Sequence, residues 1–164
     1  MTGELHRPLA VDRVGVTGLD FAVEATPAEC SALAVRMQLP QVHSLTCRFH
    51  LENEPGHTVI AHAHLVARVQ QTCVISLEDF AATVDERFIV RFVPEGQESD
   101  DPDPEALDEI PYNDGVIDLG EAAAEQLALA LDPYPRMPGA ALPEAEIEPE
   151  PHPFASLSAL KRPN

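Results

Sequence analysis

Residues 42–72 read VHSLTCRFHLENEPGHTVIAHAHLVARVQQT, and this stretch decides the fold class. Over residues 42–53 and again over residues 58–72, apolar side chains alternate with polar ones, which is the period of a strand with one buried face. The residues between the two runs, Glu-Pro-Gly at 54–56, are typical of a tight turn. The stretch therefore predicts a long antiparallel hairpin.

The register of this hairpin follows from the requirement that both apolar faces lie on the same side of the sheet. A pairing of Leu51 with Val59 meets that requirement. Arg48 then faces His62 on the polar side.

A third strand and a first helix are predicted on either side of the hairpin. Residues 82–93 alternate in the same way and extend the sheet. The helix is expected over residues 27–38, because Thr26 can serve as N-cap and Glu29 can complete a capping box. Pro27 at the first helical position favours the same start.

A second helix is predicted over residues 119–131, after a turn at 113–115. Asp118 and Glu121 place negative charge at its N-terminus, where the helix dipole favours it. We therefore expect an α+β fold in which an antiparallel sheet, open or curled toward a barrel, is packed by two main helices.

The C-terminal region is acidic and rich in proline. Residues 95–109 hold almost no large apolar side chains and predict a flexible acidic loop. Residues 132–153 contain seven prolines and predict an irregular tail segment, followed by a short helix around residues 154–160. One domain over residues 1–164 is expected.

The charge balance differs sharply between the two parts of the chain. The net charge is -18; residues 1–93 carry 11 acidic and 7 basic side chains, and residues 94–164 carry 17 acidic and 3 basic ones. Nucleic-acid binding normally depends on Lys and Arg that neutralise phosphates. RNA contact is therefore expected only locally, whereas the acidic part suits a basic protein partner or simply solubility.

The sequence predicts a cytoplasmic protein that is not inserted in a membrane. The N-terminus shows no basic and apolar pattern of a secretory signal, and no run approaches the roughly 20 apolar residues of a membrane span. Three cysteines, an odd number in apolar surroundings, indicate reduced thiols.

Three histidines, His50, His62 and His64, are predicted on one face of the hairpin. Imidazoles are common ligands of zinc, so a metal-binding protein or metal-dependent enzyme is one hypothesis. The other hypothesis is a solvated strand face, since His62 and His64 are two residues apart on one strand and no cysteine shares their face. No cofactor is expected.

Four arginines, Arg48, Arg68, Arg87 and Arg91, fall on the polar faces of the three predicted strands. They could form a basic strip that contacts RNA phosphates. Alternatively, Arg87 and Arg91 form ordinary cross-strand ion pairs with Asp85, Glu86 and Glu52.

Cys73 lies at the end of a predicted strand and could act as a nucleophile if a histidine base were near. A buried, inert thiol is the alternative. No Gly-rich phosphate loop, paired-carboxylate signature or exposed aromatic platform is present, so the residues themselves indicate no enzyme.

Three segments in order resemble a known family. They are ARVQQTCVISLEDFAATVDERFIVRFVPE at 67–95, DGVIDLGEAAAEQLALALDPYP at 114–135 and PHPFASLSALK at 151–161. The set resembles the bacterial YceD family of large ribosomal RNA accumulation proteins. The resemblance implies a non-enzymatic role in synthesis, processing or stability of 23S rRNA.

The resemblance also implies a partner and a surface. A ribosome-assembly or rRNA-processing protein is the expected partner, with 23S rRNA reached indirectly; the oligomeric state stays open. The candidate partner-binding residues are Cys73, Leu77, Phe80, Asp114, Asp118 and Glu121. The alternative is that Asp118, Glu121 and Leu127 simply cap and pack a helix.

One departure from the family pattern concerns metal. Many members place a second cysteine three residues after the first, an arrangement suited to zinc. Here Ser76 stands at that position after Cys73, and residues 136–138 supply no thiol. A metal function of such relatives is therefore not expected in this chain.

Overall fold

The structure, a computed structural model, describes residues 4–142 and is built on three long consecutive strands. In chain order its elements are β1 Pro8–Ala10, a 3-10 turn Val11–Arg13, β2 Leu19–Glu24, α1 Pro27–Met37, β3 Gln41–Glu54, β4 Thr58–Thr72, β5 Asp79–Pro94, β6 Asp108–Tyr112, β7 Val116–Asp118 and α2 Leu119–Ala130.

These strands form an open sheet of five strands and a separate pair. The large sheet has the order β2-β3-β4-β5-β6, in which only the β5–β6 pair is parallel. The small sheet pairs β1 with β7 in antiparallel fashion. Because β2 and β6 lie at opposite edges and do not pair, the sheet is not closed; the expected α+β class is confirmed, and the curling toward a barrel is not.

The hairpin of β3 and β4 is confirmed, but its predicted register was wrong by two residues. Leu51 faces Ala61 instead of Val59, and Arg48 faces His64. The reason is the turn: pairing continues to the last residue of β3, and the loop is residues 55–57, where Gly56 and His57 take the left-handed conformation with φ of 85° and 60°. A shift of two residues keeps every side chain on its predicted face.

Two other boundaries also differ from the sequence prediction. β5 begins at Asp79, three residues before the predicted start at 82. Residues 108–109, predicted as part of the acidic loop 95–109, belong to β6. Val90 through Pro94 of β5 pair with this short strand, so the end of the loop is held in the sheet.

Both helices begin as predicted. The Thr26 hydroxyl accepts a hydrogen bond from the N–H of Glu29, and the Glu29 carboxylate accepts one from the N–H of Thr26, which is the expected capping box. α1 ends at Met37, one residue before the predicted end, and is followed by Gln38 in the left-handed conformation.

The core lies between the helices and one face of the large sheet. Its largest fully buried side chains include Leu33 of α1, Leu45, Leu65 and Phe92 of the sheet, and Leu119 and Leu127 of α2. The opposite face, here called the open face, carries polar side chains such as Arg48, His62, Arg68 and Arg87, which are exposed. The alternation seen in the sequence thus separates a packed face from a solvated one.

Two expectations extend past the described residues. The Pro-rich segment 132–153 is described only as far as Leu142, and the predicted helix around 154–160 lies outside the described part. Within residues 4–142, neither helix has the length and apolar character needed to cross a membrane.

Candidate functional site

The end of β4 and the segment after α2 meet at a corner, here called the Cys73 corner and defined as residues 73–77 with residues 132–137. The N–H of Val74 donates to the carbonyl oxygen of Pro135 at 2.9 Å, and the N–H of Leu77 donates to that of Cys73 at 2.9 Å. The side-chain amide of Gln71 donates to the Asp132 carbonyl at 3.2 Å. Two segments far apart in sequence are therefore joined by hydrogen bonds.

The Cys73 thiol is the centre of this corner and is fully buried. Its Sγ accepts hydrogen bonds from the N–H groups of Met137 at 3.3 Å and Ser76 at 3.5 Å. These donors, Met137 first, lower the pKa of the thiol to about 7. Neither donor is a histidine, and no histidine of residues 4–142 is hydrogen-bonded to this thiol, so the described residues supply no base to the nucleophile considered in the sequence analysis.

Three large apolar side chains of the Cys73 corner are exposed: Val74 at 45%, Tyr134 at 72% and Leu77 at 77%. Leu77 has a left-handed backbone conformation, with a φ of 60°. Phe80, also a predicted partner-binding residue, is half-buried at the start of β5. Clustered exposed apolar groups of this kind are typical of protein contact surfaces.

The other predicted partner-binding residues lie at the N-terminus of α2. Asp114 is exposed in the turn before β7, with a φ of 55°. The Asp118 carboxylate accepts hydrogen bonds from the N–H groups of Arg7 at 2.8 Å and Gly120 at 3.0 Å. Glu121 forms an ion pair with Arg36 of α1 at 2.7 Å.

The candidate surface is therefore divided into two regions. α2 lies between them and, at 12 residues, is about 18 Å long. Cys73, Leu77 and Phe80 lie toward the C-terminal end of this helix, while Asp118 and Glu121 lie at its start and are occupied by capping and ion pairing. Of these two regions, the Cys73 corner exposes three large apolar side chains, whereas the region of Asp114 to Glu121 exposes Val116, at 40%.

The four arginines of the predicted strip are also divided. Arg48 and Arg87 lie on the open face on either side of His64, in one cross-strand row. Arg68 is in another row, opposite Thr83. Arg91 forms ion pairs with Glu54 at 2.8 Å and Glu109 at 3.9 Å. Arg91 is therefore ion-paired as the alternative predicted, but with carboxylates other than the predicted Asp85, Glu86 and Glu52, and Arg87 forms no ion pair with the described residues.

Two of the three histidines on the open face, His50 and His64, contact carboxylates. His50 Nδ1 lies 2.6 Å from Asp20 Oδ1, which raises the pKa of His50, and His64 Nε2 lies 2.7 Å from Asp85 Oδ1. His62 faces His50 across the hairpin. Over residues 4–142, no group of three or more possible ligands is close enough to hold a metal ion, which contradicts the metal hypothesis.

A cavity of about 500 Å³ opens on this same face. Its lining residues are Asp20, Phe21, Ala22, Arg48, Phe49, His50, His62, Ala63, His64 and Arg87. It is separate from the Cys73 corner, since none of its residues belongs to that corner.

The family model of the large ribosomal RNA subunit accumulation protein YceD matches residues 61–161, more than half of the chain. The chain belongs to the YceD family. The matched region includes β4 from Ala61 onward, β5, the Cys73 corner and α2. No curated protein and no solved structure matches the chain in the corresponding comparisons.

Tyr134 of the Cys73 corner was not among the partner-binding candidates from sequence. Tyr134 stands between Pro133 and Pro135 and is 72% exposed. Two flanking prolines prevent regular structure at this position, which is the signal that could have indicated an exposed aromatic side chain. Met137 was also missed, because its contact with Cys73 spans 64 positions of sequence.

Proposed function

We propose that this YceD-family chain is a cytoplasmic, non-enzymatic ribosome-biogenesis factor. It supports synthesis, processing or stability of 23S rRNA by binding a ribosome-assembly or rRNA-processing protein. The family description, which names accumulation of large-subunit ribosomal RNA, is the basis of the RNA role.

The observation that carries the protein-contact part is the Cys73 corner. Leu77 and Tyr134 expose about three quarters of their surface on segments that hydrogen bonds hold together. A partner that covers them removes apolar area from water at no cost in loop ordering, because the corner is already hydrogen-bonded. The net charge of -18 favours a basic partner and disfavours an acidic one.

The experiment compares cells that lack the gene for this chain with the same cells given back a variant. Leu77→Asn with Tyr134→Ser removes the apolar surface, and Asn tolerates the left-handed backbone at position 77. Val16→Ser is the matched control, since Val16 is fully exposed and far from the corner in sequence. The measurements are the ratio of 23S to 16S rRNA and a ribosome gradient profile.

Wild type and Val16→Ser should restore the ratio, while the double variant should restore it only in part. If the gene's loss leaves the ratio unchanged, the RNA role does not hold for this chain. If the ratio falls but the double variant restores it completely, the RNA role stands and the Cys73 corner is not the contact surface.

A further inference from the structure

Two arginines of the open face share one row of the sheet. Arg48 of β3 and Arg87 of β5 are both opposite His64 of β4. Neighbouring strands are 4.7–4.9 Å apart, so the Cα atoms of the two arginines are about 10 Å apart across the row. Both side chains extend from the same face and can reach one ligand placed between them.

These two guanidinium groups lack a carboxylate partner in the part of the chain that the structure describes. Arg7, Arg36 and Arg91 each form an ion pair at 2.7–2.8 Å, whereas no carboxylate of residues 4–142 lies within 4.0 Å of Arg48 or Arg87. Arg13, Arg68 and Arg136 likewise form no ion pair with the described residues. Arg48 and Arg87 differ from these three in sharing one row of the sheet and in lining the same cavity.

Two carboxylates of this face are hydrogen-bonded to histidines. Asp20 is hydrogen-bonded to His50, and Asp85 is hydrogen-bonded to His64. These contacts direct the two carboxylates to imidazoles rather than to the arginines. The positive charge of Arg48 and Arg87 is therefore available to an incoming anion.

Arg48 and Arg87 both line the cavity on the open face. Its volume of about 500 Å³ lies within the usual range for small-molecule pockets, roughly 300–1,000 Å³. The side chains of Phe49 and Ala63 are buried on the packed face, so it is the exposed residues Arg48, His62 and Arg87 that present side chains to a ligand here. Guanidinium groups beside an exposed imidazole are suited to a ligand that has both a phosphate and a planar ring.

We propose that this cavity binds a nucleotide unit of single-stranded RNA, with Arg48 and Arg87 on its phosphate. The exposed imidazole of His62 receives the base, since single-stranded bases stack on aromatic side chains and on arginine planes. The proposal goes beyond the proposed function, which requires only a protein contact. It confines RNA contact to one place on an otherwise acidic surface.

The binding assay uses the full chain and a short single-stranded RNA with a fluorescent label, followed by anisotropy at low salt. Arg48→Gln and Arg87→Gln should each weaken binding about tenfold, the equivalent of about 1.4 kcal/mol for one lost charged hydrogen bond. Arg68→Gln is the matched control, because it removes the same charge from another row of the open face; its effect should stay below about twofold. Circular dichroism of each variant checks the fold.

The salt dependence of the binding constant is a second test of the proposal. Contact with about two phosphates predicts a slope of log K against log salt of about -1.4 for a single strand. Absence of binding at low salt overturns the proposal. An equal loss in Arg68→Gln and the two cavity variants also overturns it, because the binding would then be general electrostatic attraction.

Competition with uridine monophosphate and with inorganic phosphate separates the sources of the phosphate group. The RNA should compete much more strongly than either small molecule. If uridine monophosphate competes as well as the RNA, the cavity is a mononucleotide site and the RNA assignment is wrong. This assay uses purified protein, so its outcome is independent of the 23S to 16S ratio that tests the proposed function.

Discussion

The backbone N–H of Met137 donates a hydrogen bond of 3.3 Å to the Sγ of Cys73. This contact joins the segment after α2 to the end of β4, and the bond from Val74 to Pro135 reinforces it. Residues 132–137, predicted as part of an irregular tail, are thus held against the sheet as far as Met137. The Cys73 corner depends on both segments.

The stability of the fold should depend on pH through Cys73. Its pKa is lowered from 9.0 to about 7 in the folded state, so between these pH values the unfolded state binds more protons. The free energy of unfolding should therefore gain a contribution that rises from about pH 7 to pH 9 and is lost as pH falls through the folded pKa. Urea unfolding of wild type and Cys73→Ala over this range measures the difference.

Cys47 serves as the internal control for that measurement, because burial raises the pKa of its thiol to about 12. It stays protonated in the folded state throughout the range. A difference between wild type and Cys73→Ala that is independent of pH would contradict the role of the two N–H donors.

The ion pair of Arg7 and Glu29 should stabilise the fold above about pH 4.5. The Arg7 guanidinium and the N–H of Thr26 lower the pKa of Glu29 from 4.5 to about 2. Glu29→Gln should cost about 1–2 kcal/mol at neutral pH, and this cost should vanish as pH falls from 4.5 toward 2. Urea unfolding at several pH values, with Glu95→Gln as an exposed control, checks it.

Gly120→Ala should destabilise the fold although alanine normally favours a helix. A Cβ at this position would lie 2.6 Å from the carbonyl oxygen of Leu5 and 2.9 Å from the N–H nitrogen of Arg7, and backbone atoms cannot turn away as a flexible side chain does. We expect a loss of about 1–3 kcal/mol by urea unfolding. Gly15→Ala is the control and should change stability little, because a Cβ at position 15 would have no atom within 4 Å. If the two variants had the same stability, the N-terminal segment at Leu5 and Arg7 would have moved to make room for the new Cβ at position 120.

The two faces of β4 should respond differently to truncation. Leu65 is fully buried on the packed face, so Leu65→Ala should cost about 2–5 kcal/mol. Val66 is only half-buried on the open face, and Val66→Ala should cost about 1 kcal/mol or less. Thermal unfolding of both variants tests which face is packed. A larger loss of stability in Val66→Ala than in Leu65→Ala would contradict the assignment of the two faces.

Local patterns account for the parts of the fold that the sequence predicted. The alternation around Phe49 and Leu65 follows from the period of a strand, and the starts of α1 and α2 follow from Thr26, Glu29 and Asp118 within one turn of each helix. Each of these signals is complete within a few neighbouring residues.

Part of the candidate site could also be predicted from sequence. Cys73 and Leu77 were identified, as were Arg48 and Arg87, but not which of the candidates lie together. The pairing of β5 with Asp108–Tyr112 in parallel was missed for a related reason, since parallel strands need a long connection whose pairing no local pattern shows.

The sequence by itself determined which side of each long strand is packed, because side chains on a strand alternate and a shift of two residues leaves them on the same face. Only the tertiary structure decided that Arg48 and Arg87 share a row and that Met137 reaches Cys73. Such neighbours depend on register and on contacts between distant segments, which are set by the packing of the whole sheet and its helices.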